Sequence, residues 1–126
     1  MLSDYAISPA LPAGDIARAR KFYEEVLGFQ PTEVVEEMGE VHFQSGGVDF
    51  FVYATTAAGT NQATSAGWRV EDLDEVMSDL RSRGVVFEEY DLPGLKTVNG
   101  VVEIPRGRAA WFKDTEGNIL VMDQLT

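Results

Sequence analysis

The side chains of Asp49, Phe51 and Tyr53 alternate with apolar residues in the stretch VDFFVY, which begins at Val48. Alternate residues of a β-strand point to opposite faces, so these three side chains share one face of a predicted strand. Two aromatic rings and a carboxylate offer stacking, apolar contact and attraction to a cation. This chemistry suits the binding of an organic molecule, whereas the other face of the stretch is ordinary core.

Acid–base and nucleophilic chemistry have weaker signals. His42 is the only histidine. It could be a general base, a ligand contact or a hydrogen-bonded strand residue, and we favour the structural role because no carboxylate is placed to orient its ring towards a nucleophile. The chain has no cysteine, which excludes disulfides, thiolate metal sites and thiol catalysis. We therefore predict no catalytic residue.

The charge of the chain narrows the range of partners. The 126 residues include 10 Lys and Arg against 21 Asp and Glu, a net charge of −11 at pH 7. Such a field repels nucleic acids and anionic membranes and favours neutral or cationic ligands. No apolar run approaches the ~20 residues of a membrane span, and the N-terminal MLSDYAIS lacks the layout of a signal peptide. We expect a cytoplasmic protein without a nucleic-acid or membrane partner.

Two segments of the chain follow one plan, LPAGDIARARKFYEEVLGF in the first half and WRVEDLDEVMSDLRSRGVVF in the second. In each, a strand-like segment precedes an Asp that can cap a helix, Asp15 or Asp72. The amphipathic helix that follows ends at Gly28 or Gly84, where a left-handed residue is favoured. Glu75 follows Asp72 in a capping-box arrangement.

Strands follow each predicted helix. In the first half we predict them at residues 30–37, 41–45 and 48–54, and in the second at 85–90, 101–104 running on towards 108–113, and 119–125. Residues 114–118 (DTEGN) form a turn and residues 91–100 a long loop. The result is an α+β fold with two βαβββ modules in a single domain over residues 1–126. The modules cover about residues 5–55 and 65–126, with a connector at 56–64.

This pattern resembles the vicinal oxygen chelate superfamily, which includes glyoxalases, extradiol dioxygenases, fosfomycin-resistance enzymes and bleomycin-resistance binding proteins. The matching segments are FYEEVLGF from Phe22, the Asp72-Leu73 helix start with its later Gly84-Val85, and WFKD with GN from Trp111. The resemblance extends over nearly the whole chain. It implies that the strands curl into an incomplete barrel, with helices on the convex face and ligands on the concave face.

In this family the enzymes hold a divalent metal with His, Glu or Gln side chains from four strands. The corresponding residues here are Ser8, Phe51, Ser65 and Val121. Their side chains lack the anionic or imidazole donors that such an ion requires. We therefore predict no metal and no other cofactor at this place.

The register of two hairpins predicts what lines the concave face instead. A two-residue Gly-Gly turn places His42 opposite Phe51, and a five-residue turn at residues 114–118 places Trp111 opposite Val121. Mostly apolar walls with a few polar groups are typical of a pocket for an organic molecule. The predicted ligand-binding residues are His42, Phe51, Tyr53, Arg69, Trp111 and Val121, with Gln44, Asp49 and Lys113 as further polar groups.

Our preferred interpretation is a metal-free protein that binds a small organic molecule. It would resemble the bleomycin-resistance type, which sequesters a drug or metabolite without changing it. The resemblance implies a homodimer with pockets at or near the interface, and we favour a cationic or aromatic ligand.

Other interpretations stay open. One is a metal-dependent lyase, isomerase or dioxygenase with displaced ligands, such as His42 with Asp49 and either Glu103 or Asp123. Phe51 and Val121 could also fill the barrel as core, which would leave a module that acts through its surface. Arg69 could pair with one of the many carboxylates instead of a ligand.

Overall fold

The computed structural model of the chain describes residues 1–126. Ten strands and two principal helices form an α+β fold, as predicted. The helices are α1 (Ile16–Lys21), which continues as a π-helical turn over Phe22–Val26, and α2 (Leu73–Ser82). The strands are β1 (Ala10–Ala13), β2 (Pro31–Val35), β3 (Glu40–Ser45), β4 (Val48–Ala54), β5 (Thr64–Arg69), β6 (Asp91–Leu92), β7 (Leu95–Lys96), β8 (Val102–Ile104), β9 (Gly107–Lys113) and β10 (Ile119–Leu125).

The strands form two four-stranded sheets with the same topology. Their orders are β1-β4-β3-β2 and β5-β10-β9-β8, and in each sheet the first pair is parallel and the other pairs are antiparallel. A separate two-stranded hairpin joins β6 to β7. This arrangement confirms two modules of the βαβββ kind, and the sheets do not close into a barrel. No helix is both long and apolar enough to span a membrane.

Both predicted hairpin registers are confirmed. In the first sheet His42 pairs with Phe51, and Gln44 pairs with Asp49. In the second sheet Trp111 pairs with Val121. In the first sheet, the two-residue turn at Gly46-Gly47 leaves only one way to pair β3 with β4, so that register follows from local geometry alone.

The helix boundaries also follow the local signals. The side chains of Asp15 and Asp72 accept hydrogen bonds from the backbone N–H of Arg18 and Glu75, respectively. Gly84 has a φ of 95°, which suits the residue after a helix. The predicted capping box is incomplete, because the Glu75 carboxylate makes no return bond to the backbone N–H of Asp72.

The strand predicted at residues 85–90 is wrong. This segment pairs with β9 only through an isolated bridge between Phe87 and Phe112, in which the N–H of Glu88 donates to the carbonyl of Trp111. It lies along the same edge of β9 as β8, which already pairs with residues Gly107 to Ala109. Only the part of β9 that follows Ala109 is free on that edge, so residues 85–90 cannot pair with β9 along their full length.

Each module has its own hydrophobic core on the helix side of its sheet. The first core joins Ala19 and Tyr23 of the first helix to alternate residues of β3 and β4, and the second joins α2 to β9 and β10. Phe22, Leu27 and Ala66 pack against both cores. Strand alternation therefore leaves the opposite face of each sheet for the predicted site residues.

The turn between β9 and β10 connects the second module to the first. The Glu116 side chain is fully buried and accepts bonds from the backbone N–H groups of Gly14 and Asp15 at 3.0 and 2.9 Å. The Arg18 guanidinium donates to both of its carboxylate oxygens, at 2.8 and 3.0 Å. These bonds hold the pKa of Glu116 at about 2, well below its ordinary value, and the Arg18 contact is the largest cause.

Candidate functional site

Three rings of the first module form a cluster on the face of the sheet remote from the helices. The His42 imidazole stacks on the Phe51 ring with centroids 5.0 Å apart and planes inclined by 23°. The Tyr53 ring lies next to Phe51, with ring centroids 6.1 Å apart and planes inclined by 52°. All three side chains are half-buried. We call His42, Phe51 and Tyr53 the first aromatic cluster.

A carboxylate adjoins this cluster. Nε2 of His42 lies 2.9 Å from Oε1 of Glu40, and the two side chains are 28% and 19% exposed. An ionised carboxylate can only accept hydrogen bonds, so Nε2 carries the proton and donates it. Nδ1 of His42 has no partner within the chain. The cluster therefore presents ring surface, an anionic group and an imidazole nitrogen together.

The polar residues predicted beside the cluster lie at its open end. The Gln44 amide donates to Oδ1 of Asp49 at 3.1 Å, and the exposed Ser8 hydroxyl donates to the Asp49 carbonyl at 3.1 Å. An open groove of about 680 Å³ runs past Ser8, His42 and Asp49. The groove gives the histidine side of the cluster access to solvent.

The second module carries a smaller ring pair on its corresponding face. Trp111 is half-buried, and its Nε1–H donates to Oγ1 of Thr64 at 3.2 Å. The Tyr90 ring meets Trp111 edge to face, with centroids 5.8 Å apart and an angle of 83°. Desolvation, with a smaller contribution from the Glu88 charge, raises the pKa of Tyr90, so its phenol stays neutral at physiological pH. We call Tyr90 and Trp111 the second aromatic cluster.

Sequence reasoning did not identify Tyr90 as a site residue. It ends the segment predicted as a strand at residues 85–90, where alternation alone assigns no contact to Trp111. A signal was present in the sequence, because Tyr90 is an aromatic residue at the start of the long loop over residues 91–100.

Arg69 is held by a carboxylate. Its guanidinium donates to both oxygens of Asp123, at 3.0 and 3.3 Å, and the pKa of Arg69 is raised mainly by this bond. Arg69 therefore pairs with a carboxylate of the chain, which the sequence analysis gave as the alternative to a contact with a ligand. The side chain is still 67% exposed, so the ion pair presents a polar edge beside Val121 and does not offer a free cation.

Within one chain the structure does not bring all the predicted residues into one pocket. Contacts join Phe51 to His42 and Tyr53, and Trp111 to Tyr90, but no aromatic contact links the two clusters. None of the main clefts is lined by Phe51, Tyr53, Trp111 or Val121. Within one chain, the candidate site therefore consists of two separate aromatic clusters, one on each four-stranded sheet.

The four positions that correspond to metal ligands do not fit a divalent metal. Ser65 is half-buried and accepts a bond from Asn61 at 3.2 Å, whereas Phe51 and Val121 have no donor atom in their side chains. No three side chains of His, Cys, Asp or Glu come together in an arrangement that could hold an ion. The displaced set built on His42 and Asp123 is not assembled either, since Glu40 and Arg69 occupy these two groups.

Residues 6–122 match the family model described as the Glyoxalase/Bleomycin resistance protein/Dioxygenase superfamily. Comparison with curated proteins gives no significant match.

Solved structures share the fold at low sequence identity. UcmS2 is 19% identical, with 94% of this chain and 98% of that chain covered and a TM-score of 0.74. TnmS3, an antibiotic binding protein from Streptomyces sp. CB03234, is 22% identical, with 97% and 98% covered and a TM-score of 0.69. A variant of the fosfomycin resistance protein FosX from Listeria monocytogenes, complexed with Mn(II) and 1S,2S-dihydroxypropylphosphonic acid, is 14% identical, with 97% and 90% covered and a TM-score of 0.70.

Proposed function

Because the chain belongs to the Glyoxalase/Bleomycin resistance protein/Dioxygenase superfamily, we propose that it is a metal-free member that binds and sequesters a small organic drug or metabolite. One observation carries the proposal. The first aromatic cluster, His42, Phe51 and Tyr53, is half-exposed and includes Phe51, the position of a metal ligand in the family's enzymes. Ring surface there favours a carbon-rich ligand over an ion.

The cluster favours a ligand that is aromatic, cationic or both. Ring faces attract cations and stack on flat molecules, each contact contributing on the order of 1 kcal/mol. Glu40 adds a carboxylate next to His42, and the net charge of −11 draws cations towards the chain. TnmS3, which shares the fold, is an antibiotic binding protein, and this supports an organic ligand.

A homodimer would complete the site. Each aromatic cluster is only half-buried, and no aromatic contact joins one cluster to the other within the chain. In the proposed dimer, the first aromatic cluster of one chain faces the second aromatic cluster of its partner. Sedimentation velocity tests whether the dimer forms, and a monomer that gains no mass when ligand is added would contradict the proposed arrangement.

Isothermal calorimetry tests the binding function. The screen contains a cationic glycopeptide antibiotic, a planar aromatic cation and a neutral polyketide-like compound. We expect at least one of them to bind and to raise the unfolding temperature. Phe51→Ala should weaken this binding about fivefold or more, because one stacking contact is lost.

Two controls make the screen decisive. Val86 is 82% exposed and lies outside both clusters, so Val86→Ala should bind as the wild type does. Elemental analysis of dialysed protein distinguishes the metal-dependent alternative, because stoichiometric Zn, Mn, Ni or Fe that survives dialysis would overturn the metal-free proposal. Failure of every compound to bind or stabilise the protein would overturn the binding function.

A further inference from the structure

A second cleft lies on the helix side of the molecule, at the seam between the modules. Its volume is about 250 Å³, and eight of its ten lining residues are hydrophobic. Leu27 and Phe29 form the wall contributed by the first module, Val76 and Leu80 of α2 form the opposite wall, and Trp68 of β5 lies between them.

This cleft is separate from both aromatic clusters. Trp68 pairs with Met122, which belongs to the buried core, whereas the neighbouring Gly67 pairs with Val121 on the opposite face. Successive residues of a strand point to opposite faces. A ligand in the cleft would therefore contact Trp68, and a ligand on the candidate site would contact Trp111.

The cleft is preformed around an ordered stack of rings. Trp68 stacks on Phe29 with centroids 6.3 Å apart and planes inclined by 20°, and on Phe112 at 6.2 Å and 14°. The Nε1–H of Trp68 donates to Oγ of Ser45 at 3.1 Å, which fixes the orientation of the indole. Walls that are already ordered lose little conformational freedom when a ligand binds.

Size and polarity define the ligand class. An apolar cavity of roughly 150 Å³ accepts benzene, so about 250 Å³ accommodates one or two fused rings. Arg69 is the only charged residue of the lining, and it is paired with Asp123. The lining therefore offers a charged ligand no free counter-charge, and burying an unpaired charge is costly.

One polar group adds selectivity. The Ser45 hydroxyl accepts the bond from Trp68 but donates to no acceptor in the chain. A hydroxyl can donate one hydrogen bond while it accepts another. A ring nitrogen or oxygen of a ligand would supply the missing acceptor.

We propose that this seam cleft is a second binding site, for an uncharged planar aromatic molecule of one or two rings with a hydrogen-bond acceptor. The proposal is independent of the function of the aromatic clusters.

The two tryptophans allow a site-resolved test by NMR. Each gives its own indole N–H signal, and the Trp111→Phe variant assigns the signal of Trp68. Quinoline, a two-ring aromatic with an acceptor nitrogen, should shift the Trp68 signal saturably, whether or not it also binds at the aromatic clusters and shifts the Trp111 signal. Naphthalene, which lacks the acceptor, should bind several-fold more weakly, and Ser45→Ala should remove this difference.

Variants that fill the cleft complete the test. Val76→Phe, on α2, and Leu27→Phe, on the opposite wall, should each weaken quinoline binding at least tenfold. Val86→Phe places the same ring at an exposed position and should leave binding unchanged. Circular dichroism verifies that each variant is folded, and the two filling variants act from different elements.

Three results would overturn the proposal. They are no saturable shift of the Trp68 signal, a shift of the Trp111 signal alone, and unchanged binding in both filling variants. Sedimentation tests a competing occupant, since a wild-type dimer that Val76→Phe dissociates would show that a second copy covers the cleft. These results do not test binding at the aromatic clusters. That binding is tested separately, by the Trp111 signal and by the Phe51→Ala variant.

Discussion

The Tyr23 phenol donates a 2.6 Å hydrogen bond to Oδ2 of Asp114, 91 residues further along the chain. Tyr23 is fully buried in the core of the first module, and Asp114 begins the turn between β9 and β10 of the second. Burial is the main cause of the raised pKa of Tyr23, and the Asp114 carboxylate adds to it. The phenol is therefore a neutral donor that ties one module to the other.

Removal of this hydroxyl should destabilise the whole chain. Tyr23→Phe keeps the ring but loses a hydrogen bond to a charged acceptor, which contributes roughly 1.5–3 kcal/mol. The free energy of unfolding in urea measures the loss. Tyr53→Phe is the matched control, because the Tyr53 hydroxyl makes no hydrogen bond within the chain, and it should change stability by less than about 0.5 kcal/mol. Equal effects of the two variants would contradict this role for Tyr23.

The Glu116 carboxylate should make stability depend on acid pH. Its folded pKa of about 2 is below the ordinary value of 4.5, so its contribution is complete above pH 4.5 and is lost as the pH falls towards 2. The lowered pKa of Glu116 corresponds to a contribution of at most about 3 kcal/mol to the free energy of unfolding. Solvent screens the partly exposed Arg18 and reduces this contribution.

Unfolding measured from pH 7 to pH 2 tests this dependence. Glu116→Gln should be less stable than the wild type at pH 7, and the difference should vanish near pH 2. Glu24→Gln provides the comparison, since the Glu24 side chain is 28% exposed and pairs with Arg20 on the surface. That variant should change stability by only a few tenths of a kcal/mol. A difference at Glu116 that stays constant with pH would refute the titration.

Gly67 should not tolerate a side chain. A Cβ at this position would overlap Cγ1 of Val121 and would lie 3.0 Å from the Val121 carbonyl oxygen. Gly67→Ala should therefore cost about 1–3 kcal/mol, and the double variant Gly67→Ala, Val121→Ala should recover part of the loss. Ser65→Ala, two residues earlier in β5, should be close to neutral. Thermal unfolding of the wild type, Gly67→Ala, Val121→Ala and the double variant measures the coupling, and purely additive effects would exclude a direct contact.

Tyr90 should contribute to ligand binding through its ring. If the second aromatic cluster is part of the binding site, Tyr90→Ala should weaken binding about threefold to tenfold, as expected for the loss of one aromatic contact. Tyr90→Phe keeps the edge-to-face contact with Trp111 and should bind like the wild type. Calorimetry with the strongest ligand of the screen compares the two variants. Weaker binding by Tyr90→Phe alone would assign the contribution to the hydroxyl instead of the ring.

Local signals account for the features that could be predicted. The pairing of His42 with Phe51 follows from a two-residue turn, and the helix starts at Asp15 and Asp72 follow from side chains that bond to N–H groups three residues away. The partner atoms of these features are close in sequence, so residue type and spacing suffice. The exception is the incomplete capping box of Asp72, where Glu75 makes no return bond.

Competition and distance account for the features that could not be predicted. Residues 85–90 alternate like a strand, but β8 already occupies part of the edge of β9 that they would need. Similarly, strand parity places Arg69 on the ligand face without revealing that Asp123 holds its guanidinium. Alternation gives the face of a side chain but not its partner.

The sequence by itself determined the two-module plan, the hairpin registers and the aromatic character of the face where family enzymes have metal donors. These depend on periodicity and turn geometry over a few residues. Only the tertiary structure decided that the aromatic residues form two separate clusters, that Tyr90 covers Trp111, and that a cleft opens beside Trp68. Those outcomes depend on how segments far apart in the chain pack together, and packing is set by the shape of all the neighbouring side chains at once.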